Sequence, residues 1–303
     1  MTNLKVNIAG VSFKNPVITA SGCFGFGREY ECMYPLEKLG GISLKGMTCQ
    51  EKLGNPPPRI AEPPSGMLNS VGLQNPGVEH FLEYDMPYLA KQDTVKIANI
   101  AGSSIEDYCA IAERLSDSEI DMFELNISCP NVKQGGAAFG TSCESAERVV
   151  KEVRKYAKKP MIVKLSPNVT DIVSIAKAVE AQGADAVSLI NTLLGMRIDI
   201  NTRRPILKNN VGGLSGPAIF PVAVRMVWQV ANAVKVPVIG MGGIEKWQDA
   251  IEMMMAGANA IQIGAAMFYN PMAPVQVIEG MRKWLEDNHI EDINEIVGSV
   301  RPW

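Results

Sequence analysis

Eight short runs rich in Val, Ile and Leu each close on glycine or on a residue with polar chemistry. In chain order the closing residues are Ser21, Lys45-Gly46, Asn99, Asn126 with Cys129 just beyond, Lys164, Asn191-Thr192, Gly242-Gly243 and Gly264-Ala265. Lysines and asparagines at equivalent positions exceed what a purely structural repeat needs. Gly240-Met-Gly-Gly243 and Gly264-Ala-Ala266 put bare backbone N–H groups ahead of helical segments, an arrangement that attracts phosphate. A tight turn explains either glycine cluster alone; the two together point to a phosphorylated substrate or cofactor. Lys164, with Ser166 and Asn168 beyond it, has three uses: pairing with a buried carboxylate, forming a Schiff base, or fixing a positive charge beside a cofactor that gains electrons. Lys45 has the same three, and spacing does not choose among them. Cys129 stands in Glu124-Leu-Asn-Ile-Ser-Cys-Pro-Asn131, followed by Lys133-Gln-Gly-Gly136. A thiol there is a nucleophile or a general base. The only histidines are His80 and His289, so proton abstraction fits better than a Cys–His acyl-transfer pair.

These side chains need elements to bring them together. The runs are Val17–Ser21, Ile42–Gly46, Lys96–Ala101, Met122–Ser128, Met161–Ser166, Ala186–Thr192, Val236–Gly243 and Ala260–Ala265. Near-continuous apolar runs of this length suit parallel strands buried on both faces. Helical patterns separate them. Thr141-Ser-Cys-Glu144 reads as a capping box before Ala146, Val149, Val150 and Val153. Asp171 to Gln182 is a second helix, Gly257 ends a third, and Pro274 to Asn288 is the last. Eight strands alternating with helices predict one (β/α)8 barrel of the TIM type over residues 1–303, favoured over a doubly wound open sheet. Lys5 to Phe13 predicts a hairpin at the barrel bottom. Two connections are long, Gly46 to Lys96 and Thr192 to Val236. Their apolar residues (Met67, Leu68, Val71, Leu73; Ile198, Ile200, Leu207) predict ordered loops anchored over the mouth. In such a barrel, chemistry belongs at the C-terminal strand ends.

Composition narrows the function. The 29 Lys+Arg against 32 Asp+Glu leave a net charge of -3, which disfavours nucleic-acid binding. Six cysteines, with no CxxC pair, indicate a reduced protein without a zinc or iron–sulfur site of its own. No secretory leader is legible, and the most apolar stretch, Met253 to Ile278, is broken by Asn, Gln and Pro. The expectation is a cytoplasmic protein that does not enter a membrane.

The sequence resembles a known family, the class 1 dihydroorotate dehydrogenases, and within it the class 1B catalytic subunit. The carriers are Ala20-Ser-Gly22, Lys45-Gly-Met-Thr48, Asn69-Ser-Val-Gly-Leu-Gln-Asn75, Asn126-Ile-Ser-Cys-Pro-Asn131, Lys164-Leu-Ser-Pro167, Asn191-Thr192, Gly212-Gly-Leu-Ser-Gly216, Gly240-Met-Gly-Gly243 and Gly264-Ala265. Together they span nearly the whole chain and are highly specific. The resemblance implies an FMN enzyme of pyrimidine biosynthesis that oxidises dihydroorotate to orotate. Cys129 would take the C5 proton while hydride leaves C6 for the flavin. Lys45, the Asn69–Leu73 loop (Asn69, Ser70, Val71, Gly72, Leu73), Asn126, Asn131, Asn191 and Thr192 would hold the substrate. Ser21, Lys45, Gly46, Asn99, Asn126, Ile190, Gly216, Gly242, Gly243, Gly264 and Ala265 would seat FMN, with Lys164 compensating charge near N1 of the reduced ring. Ala265 departs from the threonine usual in the family. The resemblance also implies a homodimer within a heterotetramer. Its ferredoxin-reductase-like partner subunit, carrying FAD and a [2Fe–2S] cluster, would pass electrons to NAD. The alternatives are the fumarate-dependent class 1A form and a Schiff-base aldolase built on Lys164.

Overall fold

An antiparallel hairpin opens the chain, β1 (Val6–Ile8) paired with β2 (Val11–Phe13). The computed structural model describes residues 2–128 and 139–303. The remaining strands follow in order: β3 (Val17–Thr19), β4 (Gly41–Ser43), β5 (Ile60–Ala61), β6 (Met67–Asn69), β7 (Val95–Ile100), β8 (Met122–Asn126), β9 (Met161–Lys164) and β10 (Ala186–Leu189). After them come β11 (Leu193–Gly195), β12 (Ile198–Asp199), β13 (Arg204–Pro205), β14 (Gly212–Ser215), β15 (Val238–Met241) and β16 (Ala260–Ile263).

Parallel pairing closes β3, β4, β7, β8, β9, β10, β15 and β16 into a barrel, each strand beside the next in chain and β16 beside β3. All eight expected runs are in it, and this is the (β/α)8 architecture. Almost every residue of these strands is buried, because helices cover the outer face while the inward side chains fill the interior. Those helices include Ile105–Ser116, Cys143–Arg154, Ile172–Ala181, Phe220–Ala231, Trp247–Met255 and Ala273–Asp287. The hairpin sits at the bottom: Phe13 is fully buried, and a Cβ on Gly41, where β4 begins, would lie 2.9 Å from its ring.

Three local expectations need correction. The cap of Cys143–Arg154 is Ser142, whose Oγ accepts from the Ser145 N–H, so the capping residue stands one position after Thr141. The long connections are more than loops. β14 pairs with both β11 and β6, and β5 extends the sheet, so the two connections weave one antiparallel roof over the mouth. Met67, Leu68 and Leu207 anchor it as expected, but Ile198 and Ile200 do not. They stand 52% and 84% exposed, on or beside the β12–β13 hairpin, which pairs only with itself. Among the described residues no helix is long and apolar enough to cross a membrane.

Candidate active site

One cavity at the C-terminal mouth collects most of the chemistry-bearing residues. Its walls include Ser21, Lys45, Gly46, Asn99, Asn126, Lys164, Ile190, Asn191 and Thr192 from the barrel strand ends. Asn69, Val71, Gly72 and Leu73 come from the roof, and Gly216, Gly242, Gly243, Gly264 and Ala265 from the glycine turns. Ser70 is the exception: it is buried outside the lining, its Oγ without a partner. Cys129 and Asn131, with the Lys133–Gly136 stretch, lie outside the described residues.

A chain of hydrogen bonds sets the asparagines. Ser128 Oγ donates to Asn126 Oδ1 at 3.0 Å and accepts from Asn191 Nδ2 at 2.6 Å. Asn191 Oδ1 in turn accepts the Thr192 N–H, and Asn168 Nδ2 donates to the Thr192 carbonyl. These contacts assign the Oδ1 end of Asn126 and both ends of Asn191, and among the described residues Asn126 Nδ2 makes no hydrogen bond. Thr192 can pack here because its neighbour is Gly213, where a Cβ would fall 2.0 Å from Thr192 Oγ1.

The glycine turns build a cradle. Gly243 (φ 78) and Gly216 (φ 96) adopt the left-handed conformation and pass close together, a Cβ on Gly243 lying 2.8 Å from the Gly216 carbonyl. Gly264-Ala265 leads directly into a short helix, Ala266–Tyr269. The Gly242-Gly243 turn does not lead directly into its helix, contrary to expectation. Trp247–Met255 starts later, and Asp249 Oδ2 already accepts the N–H groups of Glu245 and Lys246. The helix N-terminus after the seventh barrel strand is thus capped from within the chain, and the N–H groups left nearest the cavity there belong to the glycine turn.

Below the rim the site is charged. Lys164 is only 5% exposed, and the carboxylate that faces it is Glu124, fully buried on β8. Burial works against that carboxylate, yet Lys164 and hydrogen bonds from Ser43, Gln262 and Asn99 outweigh it and hold Glu124 below the usual range. Lys164 thus acts on a buried carboxylate through its field, without a direct ion pair to Glu124 among the described residues, and Lys164 itself lines the cavity wall. Burial also lowers the Lys45 ammonium, and the Cys23 thiol opposes that shift. Cys23 lines the cavity as well, its own thiol pushed up by burial.

Sequence reasoning did not single out Glu124, Gln262, Ser128 or Cys23. The available signal for two of them was a polar residue inside an otherwise apolar run: Glu124 in Met-Phe-Glu-Leu-Asn and Gln262 in Ala-Ile-Gln-Ile.

The fold and site define a parallel α/β barrel whose mouth gathers lysines, side-chain amides and glycine turns around one cavity. The chain belongs to the dihydroorotate dehydrogenase family, whose model matches residues 3–285. It is 59% identical over 298 residues to the dihydroorotate dehydrogenase B (NAD(+)) catalytic subunit of Alkaliphilus metalliredigens (strain QYMF), covering 98% of this chain and 99% of that one. It is 55% identical over 299 residues to the identically named protein of Lachnoclostridium phytofermentans (99% and 100% covered). It is 54% identical over 301 residues to that of Bacteroides thetaiotaomicron (99% and 99% covered).

Proposed function

We propose that this chain is the FMN-binding catalytic subunit of an NAD-linked dihydroorotate dehydrogenase, oxidising dihydroorotate to orotate in pyrimidine synthesis. The observation that carries the reading is the convergence of two buried or half-buried lysines, five side-chain amides and a glycine cradle on one cavity, in a chain 59% identical to a protein of that name.

The residues present fit FMN. Asn99 Oδ1 and Gln262 Oε1 are buried at the cavity without a partner, and the Gly242-Gly243 and Gly264-Ala265 turns offer N–H groups to a phosphate. When bound, FMN supplies the acceptor for the electron pair that leaves the substrate. The chain does the rest. Lys45 and the amides of Asn69, Asn126 and Asn191 complement a carboxylate and ring amides, which carry planar, paired donors and acceptors. Cys129 takes the proton as general base. Lys164, only 5% exposed, holds a positive charge at the cavity wall, where burial makes it act more strongly than in solvent.

Replacing Lys164 by Ala is expected to weaken flavin retention or slow reduction at least about tenfold, since one buried charge contact is worth roughly 1.5–3 kcal/mol. The checks are flavin content after gel filtration and anaerobic bleaching by dihydroorotate. Borohydride trapping of a substrate imine on Lys164 would instead favour the aldolase reading.

Electrons must then leave the chain. No GxGxxG with an acidic residue about 20 positions on is present, and no cysteine spacing fits a plant-type iron–sulfur cluster. The exit is therefore a partner subunit of ferredoxin-reductase type, with FAD and [2Fe–2S], which fits relatives named as catalytic subunits. The purified chain is expected to reduce artificial acceptors with dihydroorotate but to form no NADH until that partner is added. Robust NADH formation by the chain alone would sink the two-subunit assignment, and efficient turnover with fumarate would move it to the fumarate-dependent form.

A further inference from the structure

Interior layers of a (β/α)8 barrel take one side chain from each of four alternate strands, and bulky apolar residues usually fill them. Here one such layer is polar. Its members are Ser43 on β4, Glu124 on β8, Ser188 on β10 and Gln262 on β16, all 0–1% exposed. Glu124 is the hub. Its Oε2 accepts from Ser43 Oγ at 2.7 Å and from Asn99 Nδ2 at 2.7 Å. Its Oε1 accepts from Ser188 Oγ at 2.9 Å and from Gln262 Nε2 at 2.8 Å.

Each carboxylate oxygen thus receives one hydroxyl and one amide, which fills its usual acceptor capacity. An ionised carboxylate only accepts. Turning either amide over would press a carbonyl oxygen against a carboxylate oxygen in a buried setting, where such repulsion is poorly screened. The orientation of both amides is therefore fixed. Their other ends, Asn99 Oδ1 and Gln262 Oε1, are buried and find no partner among the described residues, and both residues line the cavity. Buried acceptors without donors are rare and call for an explanation.

We propose that Glu124 is a positioning residue that locks the amides of Asn99 and Gln262 with their oxygens toward the cavity, so that these two side chains offer acceptors only and select a ring edge carrying an N–H. The inference rests on the FMN reading. Oxidised FMN has one ring N–H, the imide at N3, and 3-methyl-FMN lacks it. A residue that merely filled the barrel would leave the preference between the two flavins unchanged when replaced by one of the same size; one that sorts donors from acceptors would not.

The full chain is exchanged against an equimolar mixture of FMN and 3-methyl-FMN, and the flavin retained after gel filtration is extracted and quantified. Wild type is expected to favour FMN by about tenfold or more, the usual consequence of leaving a buried acceptor unpaired. Glutamine at position 124 both donates and accepts, so it no longer dictates the amides. In Glu124→Gln the preference is expected to narrow to about threefold or less while the melting transition stays cooperative. Gln262→Met removes one acceptor, leaves Glu124 in place, and is expected to narrow the preference as well. A folded Glu124→Gln protein with the wild-type preference would overturn the proposal. Should Glu124→Gln fail to fold, an unchanged preference in Gln262→Met overturns it and a narrowed one upholds it. A wild-type chain that retains neither flavin overturns the FMN reading itself.

Discussion

Cys129→Ala is expected to keep its flavin and lose about 10²–10⁴-fold in the rate of dihydroorotate-dependent flavin bleaching, the usual worth of a general base. The residue before it, Ser128, is 3% exposed and ties Asn126 to Asn191, so the strand end that leads to Cys129 is held in register with the amides proposed to grip the substrate. Cys129→Ser is expected to recover rate mainly as pH rises, because a hydroxyl is a far weaker acid than a thiol and yields its proton less readily. Stopped-flow bleaching across a pH series separates these outcomes. An alanine variant that bleaches at a near-normal rate removes Cys129 from the mechanism.

Gly243→Ala acts on the cradle. The backbone there has φ 78, and the new Cβ would sit 2.8 Å from the Gly216 carbonyl and 2.9 Å from the Phe220 nitrogen. Neither neighbour is a flexible side-chain tip that can swing aside. Forcing a side chain into a left-handed position costs of order 1–3 kcal/mol before the clash is counted, so the turn relieves itself by moving. FMN affinity is expected to fall about 10²-fold or more, as roughly 2.7 kcal/mol corresponds to that factor. Gly10→Ala is the control: it has a similar φ of 86, but nothing lies within 4 Å of its Cβ, and it is far from the mouth. It should lose a little stability and no flavin. Equal FMN affinity in the two variants, read by quenching of flavin fluorescence, would dismiss the cradle as the phosphate site.

The barrel was legible in the sequence because parallel strands buried on both faces write themselves as apolar runs, and eight such runs leave few topologies. The strand-end residues were legible for the same reason: where burial stops, polar side chains begin. Other features depend on partners far away in the chain. β6 and β14 carry no period that announces their pairing, and Gly212-Gly213 reads as a loop until Asn69 lies opposite. Glu124 looks like an interruption of its strand. Only closure of the barrel brings Ser43, Ser188 and Gln262 around it and turns that interruption into a hub. The Ser142 cap differs from Thr141 by one residue, a choice that backbone angles make and residue type does not.

The roof has a consequence for the order of assembly. Ser215 hydrogen-bonds Met67 across 148 positions of sequence, and an open chain would spend about 4 kcal/mol of entropy on closing a loop of that size. Barrel closure brings the bases of both connections to one rim, so most of that entropy is already gone when the roof strands meet. The barrel is therefore expected to mature first and the roof last, with Asn69 and Ser215 delivered to the cavity from distant stretches of chain only at that final step. Reversal runs the other way. The roof is expected to open before the barrel, so a nascent or thermally stressed molecule would hold an intact barrel beneath a half-built binding site.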